Sequence, residues 1–344
     1  MGVLKVAVAG AGYFARLHHD AWSRVPGVVL AGISDINEAA ARAAGEAAGV
    51  PHFTDMTAML DEVQSDLVDI VTPPSSHLPL IRVAMQRGIP VICQKPFCAS
   101  QEEAREAVEL SRQAGKFICV HENFRFQPWY RKVKELLDQG ALGQVYQITF
   151  RLRPGDGQGP DAYLSRQPYF QKMERFLVHE TGVHWIDTFR YLAGNPSAVF
   201  ADLRRLNPVI AGEDAGLMIF DMPGGVRGVL DCNRLVDHAA SNLRRTMGEL
   251  LVEGSAASLR LDGEGRLLLR SHGVVEETEI PFSFKDTAFG GDCVFNLCNH
   301  VVRHMVDGSP LENEAADYLV VQAVERACYA SAENRCWVDV ASCD

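Results

Sequence analysis

The sequence predicts an α/β protein in two parts: an N-terminal doubly wound parallel sheet, then a C-terminal α+β domain with a large, mostly antiparallel open sheet. Three observations carry this. Up to about residue 122, short apolar runs alternate with amphipathic helical stretches. A glycine turn joins the first run to the first helix. Beyond residue 123, apolar and polar residues alternate with a period of two, as in strands with one wet face.

The elements follow in order. LKVAVA at 4–9 is a strand, 13–24 a helix, VVLAGIS at 28–34 a strand, and the Ala-rich 37–49 a helix. DLVDIVT at 66–72 is a strand, 77–88 a helix stopped by Gly88, GIPVIC at 88–93 a strand, 101–115 a helix and FICV at 117–120 a strand. Strands this continuously apolar belong to a parallel sheet covered on both faces. HENFRFQP then leads into a helix with Pro128 near its start and Gly140 as its stop. In QVYQITFRLR, Tyr146, Ile148, Phe150 and Leu152 alternate with polar residues. GDGQGP at 155–160 has no strand-to-helix context and reads as a mobile loop. A helix runs to about Leu192, where Trp185, Phe189 and Leu192 fill the core. Strands follow at SAVFADLRRL, DAGLMIFDMP, GVRGVLDCN and GELLVEG, then a hairpin SLRLDGEGRLLLRS and EETEIPF. A long helix over 312–334 comes last. The domains expected are 1–122 and 123–344.

With 344 residues the chain can bury two sizeable cores. A net charge of −11 works against an electrostatic grip on nucleic acid or an anionic membrane. No run is long enough to span a bilayer and no signal-peptide core precedes the first strand, so the expected location is cytoplasmic. The nine cysteines are scattered without a C-x-x-C, as for free thiols in a reducing compartment.

Gly10-Ala11-Gly12-Tyr13-Phe14-Ala15 reads G-x-G-x-x-A between strand and helix, the Rossmann dinucleotide fingerprint. The first glycine permits the turn, the second admits a pyrophosphate, and the small third residue lets the helix pack on the strand. Asp35, ending the second strand, can accept hydrogen bonds from ribose hydroxyls and would repel a 2′-phosphate, so NAD is favoured over NADP. It can also cap the helix that follows. Lys95 precedes Pro96 at the carboxyl end of a parallel strand, where ligands bind in open α/β sheets.

HETGVHWID at 179–187 suggests at first a zinc helix, but H-E-x-x-H needs histidines four apart and His179 and His184 are five apart. No metal is expected. On an α-helix the residues that align are Glu180, His184 and Asp187, a carboxylate–imidazole–carboxylate stripe.

These stretches together resemble the glucose–fructose oxidoreductase/inositol 2-dehydrogenase (Gfo/Idh/MocA) family. The resemblance runs through VAVAGAGYFA, VTPPSSH at 71–77, GIPVICQKP, NFRFQP at 123–128, ETGVHWIDTFRYLAG and YASAENRCWVDV. It implies a two-domain dehydrogenase acting on CH–OH groups of sugars, sugar acids or cyclitols, assembled as a homodimer or homotetramer through the open sheet. It implies cofactor contacts at Gly10, Gly12, Tyr13, Phe14, Ala15, Asp35, Thr72, Pro73, His77, Gln94, Lys95 and Asn123. The family usually reads Glu-Lys-Pro at the strand end and Asp-x-x-x-His on the later helix. Here Gln94 and Glu180 stand in those places, with Lys95 and His184 present. Gln94 changes the proton chemistry little if it only positions the lysine or the cofactor, and Glu180 keeps the charge on a longer arm.

Oxidising a secondary alcohol removes the hydroxyl proton as hydride leaves the same carbon. An imidazole, with an ordinary pKa near ~6.5, suits that task at neutral pH, so His184 is the expected base. Glu180 can hold its tautomer or bind a hydroxyl, and Lys95 can stabilise the developing alkoxide. Further substrate contacts are expected from Arg125, Arg153, Tyr163, Arg166 and Tyr169, while His179 can face substrate or solvent. Asp187 is read as a structural partner of Arg190. Two other functions fit the same fold: a glycoside hydrolase that uses NAD transiently, and a non-catalytic NAD-binding regulator. A pure binder has no need of Lys95 and His184.

Overall fold

A computed structural model of the chain describes residues 2–286 and 289–343. The elements run β1 (Leu4–Ala9), α1 (Ala15–Arg24), β2 (Val28–Ser34), α2 (Glu38–Ala48), β3 (His52–Phe53), α3 (Met56–Val63), β4 (Leu67–Ile70), α4 (His77–Gln86), β5 (Val91–Gln94), α5 (Gln101–Ala114), β6 (Ile118–His121), α6 (Pro128–Asp138) and β7 (Val145–Leu152). They continue as α7 (Val183–Ala193), β8 (Ala198–Arg204), β9 (Ala215–Asp221), β10 (Arg227–Asn233), β11 (Gly248–Gly254), β12 (Ala257–Leu261), β13 (Leu267–Ser271), β14 (Thr278–Glu279), α8 (Cys293–Asp307), α9 (Ala315–Asn334) and β15 (Val338–Asp339).

The chain divides into two compact units: residues up to Asn123 with Cys293–Leu319, and Phe124–Asp292 with Val320 onward. The single boundary expected at 122/123 does not describe Cys293–Leu319. Helix α8, unforeseen in the sequence, packs on α1, with the Arg24 guanidinium 4.8 Å from the Phe295 ring centre.

In the first unit six strands form a parallel sheet ordered β3-β2-β1-β4-β5-β6. Strand order reverses between β1 and β4, which opens a crevice at their carboxyl ends. Strands β4, β5 and β6 are buried along their whole length, because helices cover both faces. One charge lies in that apolar run: Asp69 in β4 is fully buried.

In the second unit the described strands form a nine-stranded sheet, β14-β13-β12-β11-β7-β10-β9-β8-β15. Only β7 and β10 pair in parallel there; the other pairings are antiparallel. Alternation puts Ile148, Phe150 and Leu152 of β7 into the core, as expected, but Tyr146 at the strand start is 53% exposed. Trp185 and Phe189 of α7 are buried, and the Trp185 ring lies 4.5 Å from that of Phe150.

Gly10 shows what the first turn demands. Its φ is +122°, and a Cβ there would sit 2.2 Å from the Val71 carbonyl oxygen. A Cβ on Gly12 would meet nothing within 4 Å. Gly10→Ala should therefore destabilise the protein by at least about 2 kcal/mol, read as a lower urea midpoint. Gly12→Ala should unfold with the wild type and lose dinucleotide affinity instead. Equal midpoints for the two variants would contradict this assignment of roles.

Candidate active site

In the first unit the site grows from the ends of β1, β2, β4 and β5. The Gly10–Gly12 turn feeds α1, whose first turn has neither a side-chain cap nor an acidic residue. An uncapped helix start with open space at Gly12 suits an anion. Asp35 folds back onto this turn: its carboxylate accepts from the Ala11 N–H at 2.8 Å and from the Asn37 N–H at 2.8 Å. The cap of α2, the alternative role for Asp35, falls to another residue. Asn37 supplies it, accepting from the Ala40 N–H at 3.1 Å.

The loop after β4 is pinned by His77. Its Nε2 lies 2.8 Å from the Thr72 carbonyl oxygen, and its Nδ1 accepts from the Cys98 N–H at 3.3 Å. Burial holds its pKa down, to about 4, so the ring is neutral at working pH. It thereby joins the Thr72–Pro73 loop to the segment carrying Lys95. The Thr72 hydroxyl accepts from Ser76 at 2.7 Å. Lys95 is half-buried, and its N–H donates to the side-chain oxygen of Gln94 at 2.9 Å. Asn123, 2% exposed, has a buried side-chain amide nitrogen with no hydrogen-bond partner. Tyr13 is 47% exposed, whereas Ala15, the first residue of α1, is buried.

In the second unit the stretch around the two histidines is not one continuous α-helix. Leu177–Gly182 is a π-helical turn, and α7 begins at Val183, whose N–H reaches the Val178 carbonyl five residues back. Glu213 sets the start of this turn. Its carboxylate accepts from the Phe176 N–H at 3.2 Å, the Val178 N–H at 3.1 Å and the Tyr329 hydroxyl at 2.6 Å. The wide turn interrupts the stripe expected across Glu180, His184 and Asp187, since Glu180 lies in it and the other two on α7. Wide turns of this kind recur at functional sites.

His184 is 7% exposed and stacks on Phe124, with ring centres 3.8 Å apart and planes within 3°. The stack fixes the plane of the imidazole. Glu180 accepts from the Thr181 hydroxyl at 2.7 Å. His179 pairs with Glu325 at 2.7 Å. Asp187 is fully buried and takes a two-pronged ion pair from Arg125 at 2.7 and 2.5 Å, with Arg190 at 3.4 Å.

The other residues expected to touch substrate meet protein carboxylates or amides. Arg153 binds Asp231 at 2.6 Å and two backbone carbonyls. Arg166 binds Asp156 at 3.2 Å, and the Tyr163 hydroxyl donates to the same carboxylate at 3.3 Å. Tyr169, 55% exposed, accepts from Gln167 at 3.0 Å.

Sequence reasoning missed Arg234, which organises this region. Fully buried over the Tyr163, Phe170 and Phe176 rings, it donates to Asp156 at 2.8 Å and to the Thr181 hydroxyl at 2.6 Å. The 155–160 loop expected to be mobile is tied down. Gly157 N–H donates to the Arg234 carbonyl at 2.9 Å, Gly155 N–H to that of Val236 at 3.1 Å, and Asn207 donates to the Gly157 and Gly159 carbonyls at 2.7 and 2.9 Å. An acid inside a glycine loop and an arginine just past a strand end were the available signals.

Two family models match in turn. Residues 4–122 match the oxidoreductase family with an NAD-binding Rossmann fold, and residues 130–260 match the Gfo/Idh/MocA C-terminal domain. The chain belongs to the Gfo/Idh/MocA oxidoreductase family. Among curated members it is 33% identical to a D-apiose dehydrogenase of Paraburkholderia graminis, over 98% of this chain and 90% of that protein. It is 30% identical to a D-apiose dehydrogenase of Rhizobium rhizogenes, over 99% and 98%. An oxidoreductase from Agrobacterium radiobacter, solved with NAD+, L-tartaric acid and magnesium, superposes with a TM-score of 0.90 at 28% identity, covering 99% of each chain.

The residues of this family member fit the dinucleotide. The open space at Gly12, the uncapped start of α1 and the unpartnered amide of Asn123 are what a bound nucleotide would use. Among the described residues no cluster of three or more His, Cys, Asp or Glu is placed to hold a metal ion, and no helix is long and apolar enough to cross a membrane.

His77 carries a pH signature. The unfolded chain takes up its proton near pH 6.5 and the folded chain only near 4, so falling pH in that window favours unfolding by up to about 3 kcal/mol. Above 6.5 this stabilisation is fully present. His77→Gln should lack this slope, so the stability gap between wild type and variant should narrow as pH falls from 7 to about 4.5. Parallel stability curves by denaturant titration would refute the burial of a neutral imidazole.

Proposed function

We propose that the chain is an NAD-dependent dehydrogenase that oxidises a secondary hydroxyl, or reduces the matching ketone, of a neutral sugar or cyclitol. The observation that carries this reading is Lys95 at the carboxyl end of β5, where doubly wound sheets bind their ligands. When bound, NAD supplies the hydride acceptor. Lys95 holds the reacting oxygen and stabilises its developing negative charge. His184, held in plane by Phe124, accepts the hydroxyl proton, and Glu180 binds a substrate hydroxyl or orients the imidazole. The anchored Asp35 carboxylate accepts from the ribose and disfavours a 2′-phosphate.

The arginines support a neutral substrate. Arg125, Arg153 and Arg166 already face Asp187, Asp231 and Asp156, and a substrate carboxylate would have to compete with them. The names of the D-apiose relatives point the same way. The tartaric acid of the Agrobacterium structure favours a second reading, a hydroxy acid. A panel of D-apiose, other aldoses, polyols and tartrate, followed by NADH absorbance, separates the two. Release of an aglycone from a glycoside with no net NADH would instead indicate a hydrolase. We place a self-association surface on the outer face of the nine-stranded sheet, where Leu251, Val229, Ile219 and Phe200 form a half-buried cross-strand row.

The wild type should prefer NAD by at least ~10-fold in kcat/KM, about 1.4 kcal/mol. Asp35→Ser with Ile36→Arg should shift the preference towards NADP; the Ile36 side chain is 95% exposed and free to be exchanged. Equal kcat/KM for both cofactors in the wild type would sink the Asp35 role.

His184→Ala should lower kcat by roughly 10²–10⁴ with NAD affinity little changed. Lys95→Ala should also slow chemistry, and the double variant should lose far less than the sum of the two effects. His179→Ala should be milder than His184→Ala by at least ~10-fold, because Glu325 holds that ring. An intact single-turnover rate in folded His184→Ala, beside a collapsed one in His179→Ala, would reverse the assignment.

A further inference from the structure

Beneath Lys95 lies a row of buried polar side chains whose proton positions the geometry determines. The Lys95 N–H can only donate, so the Gln94 atom it meets at 2.9 Å is the amide oxygen. The amide nitrogen therefore faces the two imidazoles, His18 Nε2 at 2.9 Å and His121 Nδ1 at 3.3 Å. An amide nitrogen donates two protons and accepts none, so both ring nitrogens must be bare. The His18 proton is then on Nδ1 and is donated to Asp69 Oδ2 at 2.7 Å, an oxygen that also accepts from Trp22 at 2.7 Å. The His121 proton is on Nε2. The two rings lie 4.1 Å apart, so imidazolium charge on both would be repulsive.

We propose that Gln94 is a positioning residue: its amide fixes the tautomers of His18 and His121 and holds the Lys95 backbone, so that the lysine sits above two rings that each present a bare nitrogen to the amide. Each packed element also carries a titratable group of its own. Helix α1 brings His19, whose pKa burial lowers, β4 brings Asp69, β5 brings Cys93, whose thiol burial raises well above its usual range, and β6 brings His121 followed by Glu122. A carboxylate at position 94 would invert the arrangement. It can only accept, so both ring nitrogens facing it would become donors, and His18, caught between two carboxylates, would carry a charge.

The kinetic consequence rests on the dehydrogenase reading; the proton positions and the setting of Lys95 do not. Ring-nitrogen NMR on protein labelled with ¹⁵N-histidine reads tautomer and charge without turnover. In the wild type His18 should be an Nδ1–H tautomer and His121 an Nε2–H tautomer at neutral pH. In Gln94→Glu, His18 should be an imidazolium at neutral pH. Lys95, tagged by ¹³C-reductive methylation and assigned by its loss in Lys95→Arg, should shift its titration midpoint by at least about half a unit in Gln94→Glu. Gln94→Met, which neither charges nor locks the rings, should leave that midpoint nearer the wild type. With an active sugar, Gln94→Glu should add an ionisation to the kcat/KM profile between about pH 6 and 9 and lower kcat/KM at neutral pH about 10-fold. A wild-type His18 with its proton on Nε2, or charged at neutral pH, overturns the lock, and an unmoved Lys95 midpoint overturns the positioning role, whatever the kinetics. The NMR results as stated, with no sugar oxidised, support the network and count against the dehydrogenase reading alone.

Discussion

Asp69 lies fully buried in a strand that is otherwise apolar, and a lone carboxylate there would cost several kcal/mol. His18 and Trp22, one turn apart on α1, both donate to it. This interaction presses α1 against the centre of the sheet, and α1 begins at the glycine turn. The same constraint passes through His18 to Gln94 and so to the backbone of Lys95. The start of α1 and the backbone of Lys95 are thus tied to one buried charge.

The second unit repeats the principle with other partners. Arg234 and Asp156 neutralise each other beneath an aromatic cluster, and the pair binds a glycine-rich loop to the end of β10. Asp187 takes two arginines against α7. Glu213, satisfied by two backbone N–H groups and a tyrosine, anchors the start of the wide turn that precedes His184. Removing one member of such a pair strands the other in low dielectric, which is why these groups hold geometry more firmly than their net energy suggests. It also means that Arg125, Arg153, Arg166 and Arg234 are engaged with protein carboxylates.

The alternation of apolar runs, the G-x-G-x-x-A turn, Asp35 at the end of β2 and Lys95 at the end of β5 were legible in the sequence because each depends on residues close along the chain. Periodicity decides which face of an element is apolar, and a glycine at φ +122° is a local demand. Helix α8 was legible too, in the spacing of Val294, Leu297, Val301 and Val302, but it was not read. Its place in the first unit was not legible, because that depends on packing against α1.

The π turn, the anchored loop and the network under Gln94 were decided by tertiary structure alone. Their partners come from distant segments: Glu213 and Tyr329 for the turn, Arg234 and Asn207 for the loop, Asp69, His18 and His121 for Gln94. An α-helical reading of residues 179–187 placed Glu180 and His184 on one stripe, because local periodicity assumes that each N–H finds the carbonyl four residues back. Glu213 satisfies the first N–H groups from outside and Val183 reaches five residues back instead. The sequence by itself determined where the glycine turn follows β1 and where a lysine follows β5. Only the fold settled which carboxylates are already taken, because satisfying a buried charge is a long-range requirement that no short stretch of chain records.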